Sequence, residues 1–178
     1  PKEAQKKLNL PRNPRDYTSI AVTTDDSNDE IVYASSMGDG VIQYKNGTPV
    51  QSYNEKNAFK ETAGGYGSGY CYIDGLAFDK NGNLWMTSSE VNHAVLVLDK
   101  AGAWHRLDIE QLRGVYTIND ILITSTNDKW IYVPRNTPKL VMIPNSESLD
   151  EVSSYEFTTL IDTDGKELTP SNYTCVAE

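Results

Sequence analysis

The sequence is poor in the residues that most often carry catalysis or hold metals. It has two histidines, His93 and His105, and two cysteines, Cys71 and Cys175. The cysteines stand 104 positions apart, and no Cys-x-x-Cys spacing occurs. Zinc and dithiol chemistry are therefore unsignalled. A single disulfide between the two cysteines stays open on the sequence alone. No Gly-x-Ser-x-Gly elbow, Walker-type loop or His-Glu-x-x-His element is present. Long apolar runs are missing too. The longest, Ala94–Leu98, falls far short of the roughly 20 residues a membrane-spanning helix needs. No sustained helical periodicity appears. Basic charge is scarce: 16 Lys and Arg face 25 Asp and Glu, for a net charge of −9. Such a surface repels phosphate backbones and argues against nucleic acid as a partner.

Five of the 16 basic residues lie in residues 1–16, where Lys2, Lys6, Lys7, Arg12 and Arg15 outnumber Glu3 and Asp16. That stretch reads as a solvated linker or the remnant of a preceding unit. The chain begins at Pro1, with no leader segment, which reads as a processed product or a piece of a longer chain. What the sequence does have is tyrosine, 11 in 178 residues, and β-branched residues spread along its length. A chain of this size can bury about two-thirds of its unfolded surface and build a core without disulfide staples.

Self-similarity organises the chain. Residues 20–24, 30–35, 40–45 and 51–53 are four short runs rich in β-branched or aromatic residues, separated by turn residues. The pattern recurs at 75–79, 84–88, 94–98 and 104–107, and again at 120–124, 129–133, 139–143 and 155–159. A fourth copy opens at Tyr173. Aligned first runs place Ile20, Leu76, Ile121 and Val176 at spacings of 56, 45 and 55. Four strands in about 40 to 50 residues is the period of a β-propeller blade. The expected fold is all-β: a partial propeller of about three four-stranded antiparallel blades plus the first strand of a fourth. The units run 17–71, 72–116, 117–172 and 173–178. First runs are nearly all apolar and should lie innermost, buried on both faces. Fourth runs are more polar and suit an outer edge. Lys80-Asn-Gly-Asn83 reads as a tight Asn-Gly hairpin, a chemistry that Asn46-Gly47 and Asp164-Gly165 repeat. Asp79-x-Asn81-Gly82 begins like a calcium loop, but the third ligand and the downstream Glu are missing, which favours a plain turn.

Propellers bind where loops converge at one end of the channel. One loop set precedes each first strand and presents Thr18, Asp74, Asn119 and Thr174. The other follows each second strand and contains Asp39, Glu90, His93 and Arg135. With Tyr70, from the Gly64–Tyr72 run of glycines and tyrosines, these are the candidate ligand-binding residues. Tyrosine rings stack on sugars and offer hydroxyl handles. That run also reads simply as an insertion between units. Trp85, Trp104 and Trp130 read as packing between blades. No catalytic residue, cofactor or metal site is expected.

The segment Gly75-Leu-Ala-Phe-Asp-Lys-Asn-Gly-Asn-Leu-Trp-Met-Thr-Ser88 resembles the blade motif of two-component-regulator propeller repeats, abundant in extracytoplasmic proteins of Bacteroidetes. With Gly38–Gly47, the glycine run before Tyr72 and Trp130-Ile-Tyr-Val-Pro134, the wider context resembles PorZ-type surface proteins of the type IX secretion system. The resemblance spans roughly 17–178 and is strongest in the second unit. It implies an extracytoplasmic, non-catalytic recognition or scaffold segment. Its ligand would be a surface protein or polysaccharide, and the segment itself would not insert into the membrane. Two alternatives stay open: the sensing propeller of a hybrid two-component histidine kinase, and a propeller lyase or lactonase, for which His93 is the one channel-histidine candidate. Too few blades are present to close a ring of about four to eight, so open blade edges should self-associate.

Overall fold

A computed structural model describes residues 16–60, 69–169, 173–175 and 177. It contains three successive four-stranded antiparallel meanders. The first is β1 (Tyr17–Thr24), β2 (Glu30–Gly38), β3 (Gly40–Lys45) and β4 (Thr48–Tyr53). The second is β5 (Cys71–Phe78), β6 (Leu84–Ser88), β7 (Val95–Leu98) and β8 (Trp104–Leu107). The third is β9 (Ile121–Ile123), β10 (Lys129–Val133), β11 (Lys139–Ile143) and β12 (Tyr155–Phe157). A small hairpin follows, β13 (Leu160–Ile161) with β14 (Glu167–Leu168). One 3₁₀ turn at Glu110–Leu112 is the only helical element among the described residues, and no helix there is long and apolar enough to cross a membrane. Most of residues 1–16, the greater part of the Gly/Tyr run, and Val176 and Glu178 of the expected fourth unit lie outside the described residues. Tyr173, which is described, donates its N–H to Pro134 O at 3.3 Å.

The hairpins share a side-chain device that the Asn-Gly reading missed. At Asp25, Asp79, Asp99, Thr124 and Asp162, the residue's N–H donates to the carbonyl four residues on, and its own carbonyl accepts from the N–H three residues on. Its side-chain oxygen also takes the N–H four residues on. The fourth turn residue then holds positive φ, and it is Asn or Gly each time: Asn28, Gly82, Gly102, Asn127 and Gly165. Thus Lys80–Asn83 is a longer turn anchored by Asp79, while Asn46-Gly47, with both residues at positive φ, is the true two-residue hairpin. The Asp79 carboxylate is taken up by this work. Oδ1 accepts from the N–H groups of Asn81 and Asn83, and Oδ2 accepts from Asn83 Nδ2 and Trp85 Nε1, at 2.8–2.9 Å.

Packing between meanders forms the core. One apolar cluster joins the first and second meanders through Ala21, Tyr33, Leu76, Leu84 and Met86. The other joins the second and third through Trp85, Val95, Ile121, Ile131 and Val141. Trp85 is buried under the Lys129 ammonium, 4.6 Å from its ring centroid, and Trp104 meets Tyr53 and Phe59 edge-on at 5.4 Å. Both pack between units as expected, whereas Trp130 stacks on Phe157 of its own unit. The first strands converge closely. A Cβ on Gly75 would stand 2.7–2.8 Å from Asp120 Oδ1, Asp120 Cα and Ile121 N.

Two expectations need correction. β5 starts at Cys71 rather than Gly75, because the end of β2 lends it pairing at Met37–Tyr72 and Gly38–Cys71. Burial of first strands on both faces holds for β5 but not for β1, where Ile20 is 63% and Val22 58% exposed. β1 lacks a neighbouring meander on that side among the described residues. Cys71 is buried and Cys175 exposed, and both are free thiols.

Candidate functional site

Antiparallel meanders put the loops before first strands and after second strands at the same end of the molecule. A cleft of about 790 Å³ opens there, lined by Tyr72, Thr117, Asn119, Arg135, Tyr173 and Thr174, with Pro134. Its floor is braced. Asn119 Nδ2 donates to Tyr132 Oη at 2.7 Å, and that hydroxyl donates to Thr174 O at 3.2 Å.

Tyr72 links this cleft to a second group. Its ring meets the Tyr70 ring edge-on, with centroids 6.4 Å apart. Tyr70 fits because residue 38 is glycine: a Cβ at Gly38 would stand 2.8 Å from the Tyr70 ring, and φ there is +116°. The same tight link between β2 and β3 carries Asp39, which bridges to Cys71. The Tyr70 phenol is pushed up by burial and then by the charges of Asp16, Asp39 and Glu90. The Tyr72 phenol is raised by burial and then by Asp74, Tyr70, Tyr116 and Glu90. The bridge to Cys71 holds Asp39 next to the tyrosine pair, and the charge of Glu90 bears on both phenols.

Glu90 is unusual in two ways. Its backbone is left-handed, with φ +63°, while every other non-glycine residue in that region among those described is Asn or Asp. Its N–H donates to Val115 O at 2.8 Å. Its Oε1 is buried and no hydrogen-bond donor reaches it. A buried carboxylate oxygen without a donor is costly, and a side-chain movement that opened it to a ligand hydroxyl or ammonium would relieve it.

The other candidates fall elsewhere. Thr18 Oγ1 donates to Ile73 O at 2.5 Å and lies 2.8 Å from Ser35 Oγ, so it ties the first meander to the second. Asp74 is 8% exposed and accepts from Ser89 Oγ at 2.8 Å. Burial, with a contribution from Asp120, pushes its carboxyl up to about 8. His93 lines a void of about 10 Å³ with Phe59, Lys60 and Arg106. Asn119 and Arg135 thus line the cleft, Tyr70 touches its Tyr72, Asp39 and Glu90 act on that pair through their charges, and His93 lines a separate small void. Tyr72, Thr117 and Tyr173 join them without having been singled out as site residues. Tyr72 stands two residues before Asp74 and so could have been placed by the same alignment. Among the described residues, no three His, Cys, Asp or Glu side chains cluster to hold a metal ion.

No protein-family model and no curated protein matches the chain. Solved structures do. PorZ, an essential bacterial surface component of the type IX secretion system of Porphyromonas gingivalis, superposes with TM-score 0.78 at 19% identity, over 96% of this chain and 23% of that one. The extracellular domain of BT4673 from B. thetaiotaomicron, described as a one-component system, superposes with TM-score 0.56 at 15% identity, over 88% of this chain and 23% of that one. The chain thus spans about a quarter of each. At these identities the likeness is one of fold, and it agrees with the all-β propeller architecture expected from the repeats.

Proposed function

We propose that the chain is a non-catalytic recognition segment of a larger extracytoplasmic protein, and that it takes a polysaccharide at the tyrosine-lined end. The observation that carries this reading is the donor-free Glu90 Oε1, in a carboxylate whose charge bears on the Tyr70–Tyr72 pair, next to a cleft edged by Asn119 and Arg135. Sugars offer hydroxyl donors for the carboxylate and apolar ring faces for the tyrosines. The extracytoplasmic placement leans on the fold likeness to a surface component and to an extracellular domain. The latter likeness also supports a sensor reading, in which the same site reports a glycan to a signalling module.

The test is calorimetric titration of the chain with soluble fragments of bacterial surface polysaccharides. Saturable binding is expected, weakened about tenfold or more in Tyr72→Ala and Glu90→Gln, a loss of about 1.4 kcal/mol or greater. His93→Ala should bind like the parent. Recovery of the oligosaccharide uncleaved separates this reading from a lyase or lactonase. Equal affinity in the parent, Tyr72→Ala and Glu90→Gln would sink it.

A further inference from the structure

Arg106 stands on β8, opposite Leu96 of β7, and its guanidinium reaches across to the segment after the first meander, where Nη2 donates to Ala58 O. That bond fixes the group but leaves a donor over. Nε is buried and has no hydrogen-bond partner. Among the described residues no carboxylate pairs with Arg106. A buried donor without an acceptor is costly, the more so on a charged group. Arginine cannot escape by losing its charge, and it has no acceptor atom to offer instead.

Arg106 borders the void of about 10 Å³ that His93 lines, and the rest of the wall sorts by chemistry. Lys60, His93 and Ser88 bring further donor-bearing side chains, while Phe59 and Leu96 are apolar. Among the described residues no Asp or Glu lines the void, in a chain with 25 acidic residues against 16 Lys and Arg. Asp108, which feels the charge of His93, is taken by Arg113, 2.6 Å from Nε and 2.5 Å from Nη2. A space of this size admits one water-sized species. A phosphate, sulfate or carboxylate does not fit without the walls moving. A water would accept from Nε, but its own two protons would then meet a wall of cations. A monatomic anion only accepts, and cations favour it.

We propose that this void is a binding site for a single halide ion, chloride in ordinary saline, held by Arg106 Nε with Ser88, Lys60 and His93 around it. The ion ties the segment at 58–60 to the loop between β6 and β7, in which Ser88 and Val91 stand on either side of Glu90.

Thermal unfolding of the chain, with sodium chloride replacing sodium gluconate at constant ionic strength, tests this. The midpoint should rise along a single-site isotherm, by about 3–6 °C at ten times the dissociation constant. The parent should also broaden the chlorine NMR line of free chloride, and bromide should compete for the site. Arg106→Gln removes the Nε donor and the charge and should abolish both responses. Ser88→Ala keeps every charge and should weaken chloride about two- to tenfold. Arg113→Gln, whose guanidinium holds Asp108 outside the void, should respond as the parent does. Equal midpoints in chloride and gluconate overturn the proposal, as does a chloride response in Arg106→Gln as large as the parent's. Where Arg106→Gln does not fold, Ser88→Ala decides instead, and a parent-like chloride affinity there overturns the proposal.

Discussion

Asp74 makes the fold's stability depend on pH in a direction opposite to that of most carboxylates. Ser89 donates both its hydroxyl, at 2.8 Å, and its backbone N–H to this carboxyl, and both bonds favour the ionised form. Burial outweighs them and Asp120 adds to the effect, so the folded pKa is pushed from 3.8 up to about 8. The folded chain therefore holds this proton more tightly than the unfolded chain. Below about pH 4 both states are protonated and the group is neutral in the balance. As pH rises, the unfolded chain releases its proton first and stability falls, until the loss is complete above about pH 8. Each unit of separation is worth about 1.4 kcal/mol, which sets an upper limit of about 4 kcal/mol at pH 7. Any local opening that wets the carboxyl shortens that loss. Asp74→Asn removes the charge and keeps an oxygen acceptor for Ser89 Oγ. Its stability relative to the parent should match near pH 4 and rise by about 1–4 kcal/mol by pH 7. Urea unfolding of both proteins at several pH values reads the difference directly, because the other titrating groups are common to both and cancel. Parallel stability curves between pH 4 and 8 would refute the reasoning.

Two further substitutions test the packing and the turns. Gly75→Ala forces a methyl group to within 2.7–2.8 Å of Asp120 Cα, Asp120 Oδ1 and Ile121 N, two of them backbone atoms that cannot rotate away. It should cost about 1–3 kcal/mol, at roughly 2–4 °C of melting temperature per kcal/mol, and an unchanged thermal midpoint would contradict the close approach of β5 to β9. Asp79→Ala removes the acceptor of two backbone N–H groups and of the buried Trp85 indole N–H, so a loss of about 1–3 kcal/mol should appear in the urea midpoint, with a shift in tryptophan emission; a midpoint within about 0.5 kcal/mol of the parent would count against the anchor.

The strands were legible because each is a short apolar run between Gly, Asn and Asp, and the spacing of those runs repeats. Their edges were legible only where a local residue type sets them. β5 begins at Cys71 because of pairing with Met37–Gly38, a contact across more than 30 residues that no local pattern announces. The exposure of β1 was hidden for the same reason: Ile20 and Leu76 look alike in sequence, and what separates them is whether another meander packs against them among the described residues. The mouth was half legible. Polar residues after the second strands were matched by alignment, but nothing in the residue type of Glu90 signals a left-handed backbone.

The aligned polar positions teach a separate lesson. Thr18, Asp74, Asn119 and Thr174 stand at matched places before the first strands, and that regularity alone suggested a binding rim. In the structure they divide: Thr18 and Asp74 are taken up by packing, while Asn119 and Thr174 line the cleft. Thr18 holds Ile73 O, and Asp74 is enclosed with Ser89. Thr87 Oγ1 donates to Asn119 O at 2.8 Å, as the equivalent Tyr132 Oη donates to Thr174 O at 3.2 Å. In the last two it is the main-chain carbonyl at the aligned position that a hydroxyl of the second strand satisfies, so the junction bond there does not depend on the side chain before the first strand. A ligand site has no need to repeat, because a ligand touches only some of the units. The proposed site accordingly draws on what differs between units: equivalent loops carry acidic Asp39 and Glu90 in the first two units but basic Arg135 in the third, and the Tyr70–Tyr72 pair has no counterpart in the other two. Within a repeating fold, recurrence identifies the junctions, and departure from recurrence is the better guide to recognition.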